Sequence, residues 1–157
     1  ALVLASRGCR RIALAETNPL RLAAARSSGV CEPYDPTAEA GPEGVDVVID
    51  AVGGAATRAA ACAAVRPGGV IVHVGLMSSD GGLDIRKITL QEVTLVGCYT
   101  YTMVDFRATV DGMARGAFGP LDWFERRSLA DGVGAFADLD AGRVSASKVI
   151  LTPDGVS

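Results

Sequence analysis

Residues 45–75 read VDVVIDAVGGAATRAAACAAVRPGGVIVHVG, and this stretch decides the fold. Val45 to Asp50 form a nearly continuous apolar run of strand length, the pattern of a strand buried on both faces of a sheet. Gly53 and Gly54 then turn the chain into an alanine-rich helical segment. Pro67, Gly68 and Gly69 reset it, and Val70, Ile71, Val72 and Val74 form a second buried strand that reaches Gly75. Strand, glycine turn, helix and strand make up the grammar of a parallel α/β sheet.

The same grammar extends outward. Upstream, Arg11 to Ala15 form a strand closed by Glu16; Asn18 caps a helix with Pro19 at its first position, and that helix runs to Gly29. Residues 32–44, with three prolines and two glycines, are loop-like. Downstream, a further strand is expected at Thr94 to Tyr99. An amphipathic helix follows at Val104 to Arg115, then a short strand near Trp123 to Arg127, a helix in LADGVGAFADLDAG and a last strand in KVIL. No repeat or low-complexity stretch interrupts the pattern.

The chain has 157 residues, 49 % of them hydrophobic, enough for one domain with an ordinary core. A net charge of -3 and the lack of any basic block argue against nucleic acid or an acidic membrane as partner. No apolar run is long enough to span a bilayer, and the opening ALVLASRGCRR does not fit a signal peptide, so a cytoplasmic location is expected. Cys9, Cys31, Cys62 and Cys98 are widely spaced without a C-x-x-C pair, and read as buried free thiols rather than disulfides or a zinc site.

In an open parallel sheet the ligand lies outside the carboxyl ends of the strands, so the residues there carry the information. They are Glu16, Val52-Gly53, Gly75-Leu76 and Cys98-Tyr99-Thr100. Glu16 has two readings. It can accept hydrogen bonds from both ribose hydroxyls of an adenosine while repelling a 2′-phosphate, which favours NAD over NADP. Equally, it can be a solvated strand end that stabilises the neighbouring helix N-terminus. Gly53 and Gly75 allow close approach of backbone to a flat ligand, although tight turns need glycine as well. His73, the only histidine, sits among apolar residues and reads as a structural histidine with its hydrogen bonds satisfied; Asp46 and Asp50 lack partners at metal-ligand spacing and read as structural. No nucleophile-and-base pair, G-x-S-x-G or Walker loop occurs, so no catalytic and no metal-binding residue is assigned.

Five segments in order, RRIALAETNPLRLAAARSSG, GVDVVIDAVGG, RPGGVIVHVGL, ITLQEVTLVGCYTYTMVDFRATV and LADGVGAFADLDAGRVSASKVIL, resemble the C-terminal half of zinc-containing medium-chain alcohol and polyol dehydrogenases. The resemblance implies a Rossmann-like, doubly wound parallel sheet. It implies dinucleotide binding over residues 1–103, with residues 104–157 forming the last helix of that fold and a return segment that packs on a catalytic domain. It places Glu16 as the ribose-binding acid, Arg21 as a basic residue near the adenosine ribose, and Val52 and Gly53 beside the adenosine. Gly75 and Leu76 fall at the turn holding the nicotinamide, Cys98, Tyr99 and Thr100 at the strand end that meets its carboxamide, and Lys148 near the pyrophosphate. For Arg21 and Lys148 a solvated helix face and a solvated strand start are the plain alternatives. The expected cofactor is NAD, with zinc confined to a catalytic half upstream, and the expected substrate is a small secondary alcohol or polyol.

Departures from the family pattern carry their own expectations. The glycine fingerprint and the first strand should lie before Ala1, with ALVLAS as the tail of the helix that follows them. The connection from Val30 to Val45 is shorter than in the family. A sheet in the order 3-2-1-4-5-6 without its first strand has two unpaired inner edges, which predicts a fragment of a longer polypeptide, a complementing partner chain or a homo-oligomer. Two rivals are kept: a zinc-free quinone or enoyl reductase of the same superfamily, and a non-catalytic nucleotide-binding or assembly module.

Overall fold

A computed structural model describes residues 1–153 of the chain. In chain order the elements are α1 (Leu2–Ser6), β1 (Ala13–Ala15), α2 (Pro19–Ser28), β2 (Glu32–Tyr34), β3 (Val45–Asp50), α3 (Ala55–Ala64), β4 (Val65–His73), α4 (Ile85–Leu90), β5 (Thr94–Gly97), α5 (Met103–Ala114), β6 (Phe124–Ser128), α6 (Gly132–Asp140) and β7 (Lys148–Thr152). Every strand pairing is parallel, in three separate sheets: β1-β2, β3-β4-β5 and β6-β7. The fold is α/β and Rossmann-like. Among the described residues, no strand joins β1-β2 to β3-β4-β5.

The described residues pack as two compact units, residues 41–102 and residues 1–40 with 103–153. In the first of these, β4 lies between β3 and β5, with Val48, Ile71 and Leu95 in register across the sheet. Ala61 and Cys62 of α3 pack with Val65, Ile71 and Val93 into a core, joined by the partly buried Val48, Leu83 and Ile88. Val45 pairs with Val65 but Val47 pairs with Val70, so the Pro67-Gly68-Gly69 segment bulges out of the ladder. The short helix α4, capped by Asp84 on the N–H of Lys87 at 2.8 Å, was not expected from the sequence.

One expectation about this sheet fails. Val47 and Ile49 are about half exposed, at 49 % and 48 %, and Val74 is 41 % exposed. Side chains alternate across a strand, and α3 covers the face that carries Val48 and Ile71. Those strands are therefore buried on one face rather than two.

In the other unit, β1 and β2 flank α2. The Asn18 side chain accepts hydrogen bonds from the N–H groups of Leu20 and Arg21 at 3.0 and 3.1 Å, and Gly29 ends the helix in the left-handed conformation at φ 65°. The same Asn18 donates to the Gly142 carbonyl at 2.7 Å, tying α2 to the turn before β7. β2 lies inside the segment read as loop: Pro33 needs no N–H partner on an edge strand, and the N–H of Glu32 reaches the Ile12 carbonyl at 2.7 Å. A single helical turn at Leu129–Asp131 and α6 connect the parallel strands β6 and β7, with Ala135 and Val144 buried.

Candidate functional site

The expected ligand-facing residues fall into two groups, one in each unit. In residues 41–102 the organising group is the carboxylate of Asp50, at the end of β3 and 5 % exposed. One of its oxygens accepts from the N–H groups of Val52 and Gly53 at 3.1 and 2.8 Å, and the other from the Thr57 hydroxyl at 3.1 Å. The Asp50 backbone carbonyl takes the N–H groups of Val74 and Gly75 at 2.9 and 3.0 Å. Val52 and Gly53 carbonyls then accept from Met77 and Ser78, each at 3.1 Å. Val52, Gly53, Gly75 and Leu76 are thereby brought together, with the turn after β3 laid against the loop after β4.

The glycines are required by this crossing. Gly53 has φ 73°, and a Cβ on it would overlap the Gly75 carbonyl; a Cβ on Gly75 would overlap the backbone of Val52. Leu76 lies at the crest of the loop, 76 % exposed, and its N–H has no partner among the described residues. A cleft of about 530 Å³ opens beside it, bordered by His73, Leu76, Ser78, Ser79, Leu95 and Gly97. Cys98 joins the corner by donating its N–H to the His73 carbonyl at 2.9 Å. Tyr99 is largely exposed, and Thr100 takes a left-handed conformation at φ 56°, sparsely populated for a β-branched residue.

His73 departs from its expected role. Its Nε2 is buried without a hydrogen-bond partner among the described residues, 3.7 Å from a carboxylate oxygen of Asp50. Asp50 directs its oxygens to Val52, Gly53 and Thr57, so Nε2 of the imidazole is left without a hydrogen bond to this carboxylate. The expectation of four buried thiols also fails. Only Cys62 is buried, in the core beneath β4, whereas Cys9 and Cys98 are exposed and Cys31 is intermediate, because both exposed residues lie outside the regular elements.

Sequence reasoning passed over Arg58. It is 5 % exposed on α3, and its guanidinium reaches the carbonyls of Gly81 (2.6 Å), Gly53 (2.8 Å), Ser78 (2.9 Å) and Asp80. The sequence did contain a signal: Arg58 is the only charged residue in a helix otherwise built of alanine, threonine and cysteine. Such a helix has little polar surface with which to face water.

In the other unit, Glu16 and Arg21 meet. The Arg21 guanidinium donates from Nε and Nη2 to the two Glu16 carboxylate oxygens at 2.9 and 3.1 Å, and the Asn18 N–H adds a bond at 2.8 Å. The hydrogen bonds from Arg21 hold the Glu16 carboxyl below the usual carboxylate range, against a smaller opposing effect of burial, and Arg21 is raised in turn. Three of the roughly four acceptor sites of the carboxylate are thus occupied. Lys148 is exposed at the start of β7, opposite Phe124, and has no hydrogen bond or ion pair with Glu16 among the described residues.

Among the described residues, no group of three His, Cys, Asp or Glu side chains could hold a metal ion, and no helix is long and apolar enough to cross a membrane.

The parallel pairing of every described strand, with helices between them, defines the Rossmann-like α/β fold class. Within it, the sequence profile of the zinc-binding dehydrogenases matches residues 1–115, and the chain belongs to that family. No match was found among curated protein sequences. Solved structures with the same fold include an alcohol dehydrogenase from Thermus sp. ATN1 (24 % identity, TM-score 0.85, covering 96 % of this chain and 46 % of that one). Another is 2R,3R-butanediol dehydrogenase from Bacillus subtilis (22 % identity, TM-score 0.84, 98 % of this chain and 46 % of that one). A third is acetophenone reductase from Geotrichum candidum in complex with NAD (20 % identity, TM-score 0.80, 95 % of this chain and 44 % of that one). The chain spans less than half the length of these structures.

Proposed function

We propose that this chain is the cofactor-binding part of an NAD-dependent zinc-type dehydrogenase that interconverts a secondary alcohol or polyol with its ketone. The observation that carries the reading is the Glu16 carboxylate, ionised at the end of β1 and oriented by Arg21 and the Asn18 N–H. A ribose diol is recognised by such an acceptor, and a 2′-phosphate is repelled by it. Binding a diol through two acceptor sites draws Arg21 off one oxygen, and Arg21, about one third exposed, has room to swing.

NAD bound to such a chain would accept the hydride from the alcohol carbon. The chain's own residues would bind and orient it. Val52 and Gly53 border the adenosine side, Leu76 offers its unpartnered N–H at the nicotinamide end, and Cys98 to Thr100 supply backbone for the carboxamide. Lys148 offers a charge for the pyrophosphate. Zinc, which the family name implies, finds no ligand cluster among the described residues, and no role in holding it is proposed for them. On this reading residues 1–103 bind the cofactor and residues 104–157 return toward the catalytic domain. A partner chain or second copy would cover open strand edges.

The test is a fluorescence titration of the 157-residue chain with NADH and, separately, NADPH. Saturable binding with preference for NADH supports the reading. Preference for NADPH would replace it with a zinc-free quinone or enoyl reductase, and binding of neither would refute cofactor binding by this chain.

A further inference from the structure

Arg58 presents an unusual combination: a buried cation on the first turns of a helix, where the helix dipole disfavours positive charge, with no carboxylate in ion-pair contact among the described residues. Its partners are backbone carbonyls. Nε donates to Gly81, Nη1 to both Gly53 and Ser78, and Nη2 to Asp80, with the Ser78 hydroxyl at 3.5 Å. Gly53 belongs to the turn after β3, and the other residues to the loop after β4. The rigid planar fork of arginine joins the two in a way an ammonium could not reproduce. At Gly82, φ 90°, the loop comes so close to the start of α3 that a Cβ would overlap the Ala55 carbonyl.

We infer that Arg58 is a positioning residue that fixes the conformation of the loop Leu76–Gly82, and through it the nicotinamide end of the cofactor site. This rests on the NAD reading above. Arg58 borders the cleft, but its N–H groups are spent on the loop carbonyls and on Gly53, so it acts on the ring through the crest at Leu76 and not by hydrogen-bonding to it. A loop that samples other conformations lowers apparent affinity by the fraction of time spent away from the competent one.

The experiment compares the unsubstituted chain with Arg58→Gln and Arg58→Lys, measuring affinity for NADH and for ADP-ribose, which lacks the nicotinamide, and amide hydrogen exchange across residues 76–82. The expected result is a loss of NADH affinity of about tenfold in Arg58→Gln, with ADP-ribose affinity held within about twofold, partial recovery in Arg58→Lys, and faster exchange confined to the loop. Equal loss for both ligands, or unchanged NADH affinity and unchanged exchange, would overturn the inference while leaving the cofactor reading intact. Failure of the unsubstituted chain to bind NADH would overturn the cofactor reading and the nicotinamide role of Arg58 with it. If Arg58→Gln does not fold, Arg58→Lys carries the same comparison.

Discussion

The two corners that carry candidate residues, one in each unit, are built on different principles. At the Gly53–Gly75 crossing, backbone lies on backbone: the Asp50 carboxylate collects three donors, Arg58 collects four carbonyls, and neither glycine has space for a methyl group. At the Glu16 corner, two side chains meet on the surface of a helix start. The first corner needs its residues in order to fold, whatever it binds. The second could fold with others in their place, so the choice of Glu16 speaks more directly of function.

Substitutions should separate the corners by size of effect. Gly75→Ala forces a Cβ into the Val52 backbone and should cost about 4 kcal/mol or abolish the cooperative transition of this unit, measured by urea denaturation. Asp50→Ala leaves the N–H groups of Val52 and Gly53 and the Thr57 hydroxyl without their acceptor and should cost about 3 kcal/mol in the same assay. Ile71→Ala, at the 1 % exposed centre of the core, should cost a similar ~3 kcal/mol by leaving a cavity, without disturbing the crossing itself. Glu16→Gln should cost less than about 1 kcal/mol, as partly exposed ion pairs do. An equal cost at Glu16 and Gly75 would break the distinction.

The smallest effect is the pH dependence of the Glu16 corner. The folded carboxyl is held below its ordinary value, so the unfolded chain binds the proton more readily in the interval between the two. The contribution of Glu16 is therefore complete above the unfolded carboxylate value of about 4.3 and fades as pH falls through the lower folded one. The difference in urea midpoint between the unsubstituted chain and Glu16→Gln should be constant near neutrality and vanish in acid. A difference that persisted in strong acid would locate it elsewhere than in the ion pair.

What could be read from the sequence follows the same division. Apart from β2 and α4, the principal strands and helices and their order were legible because apolar runs, Asn18 with Pro19, and the glycines at 53, 68 and 75 are local signals. The one-sided burial of Val47 and Ile49 was not, since a β-branched run looks the same whether one or both faces are covered. β2 was hidden by Pro33, which reads as loop until its edge position is known. Arg58 and the Asp50 carboxylate escaped because their partners lie on other segments: the arginine grips carbonyls more than twenty residues away at Asp80 and Gly81, and backbone carbonyls leave no trace in a sequence. Glu16 and Arg21 were named as candidates, but their pairing was not foreseen.

The most direct test of the central claim is the ratio of NADH to NADPH affinity in the unsubstituted chain and in Glu16→Ser, read by cofactor fluorescence beside the urea midpoint of each. The unsubstituted chain should prefer NADH, and Glu16→Ser should lose about tenfold of that preference with almost no change in stability. An unchanged preference, or a loss of stability as large as that of Gly75→Ala, would contradict the claim.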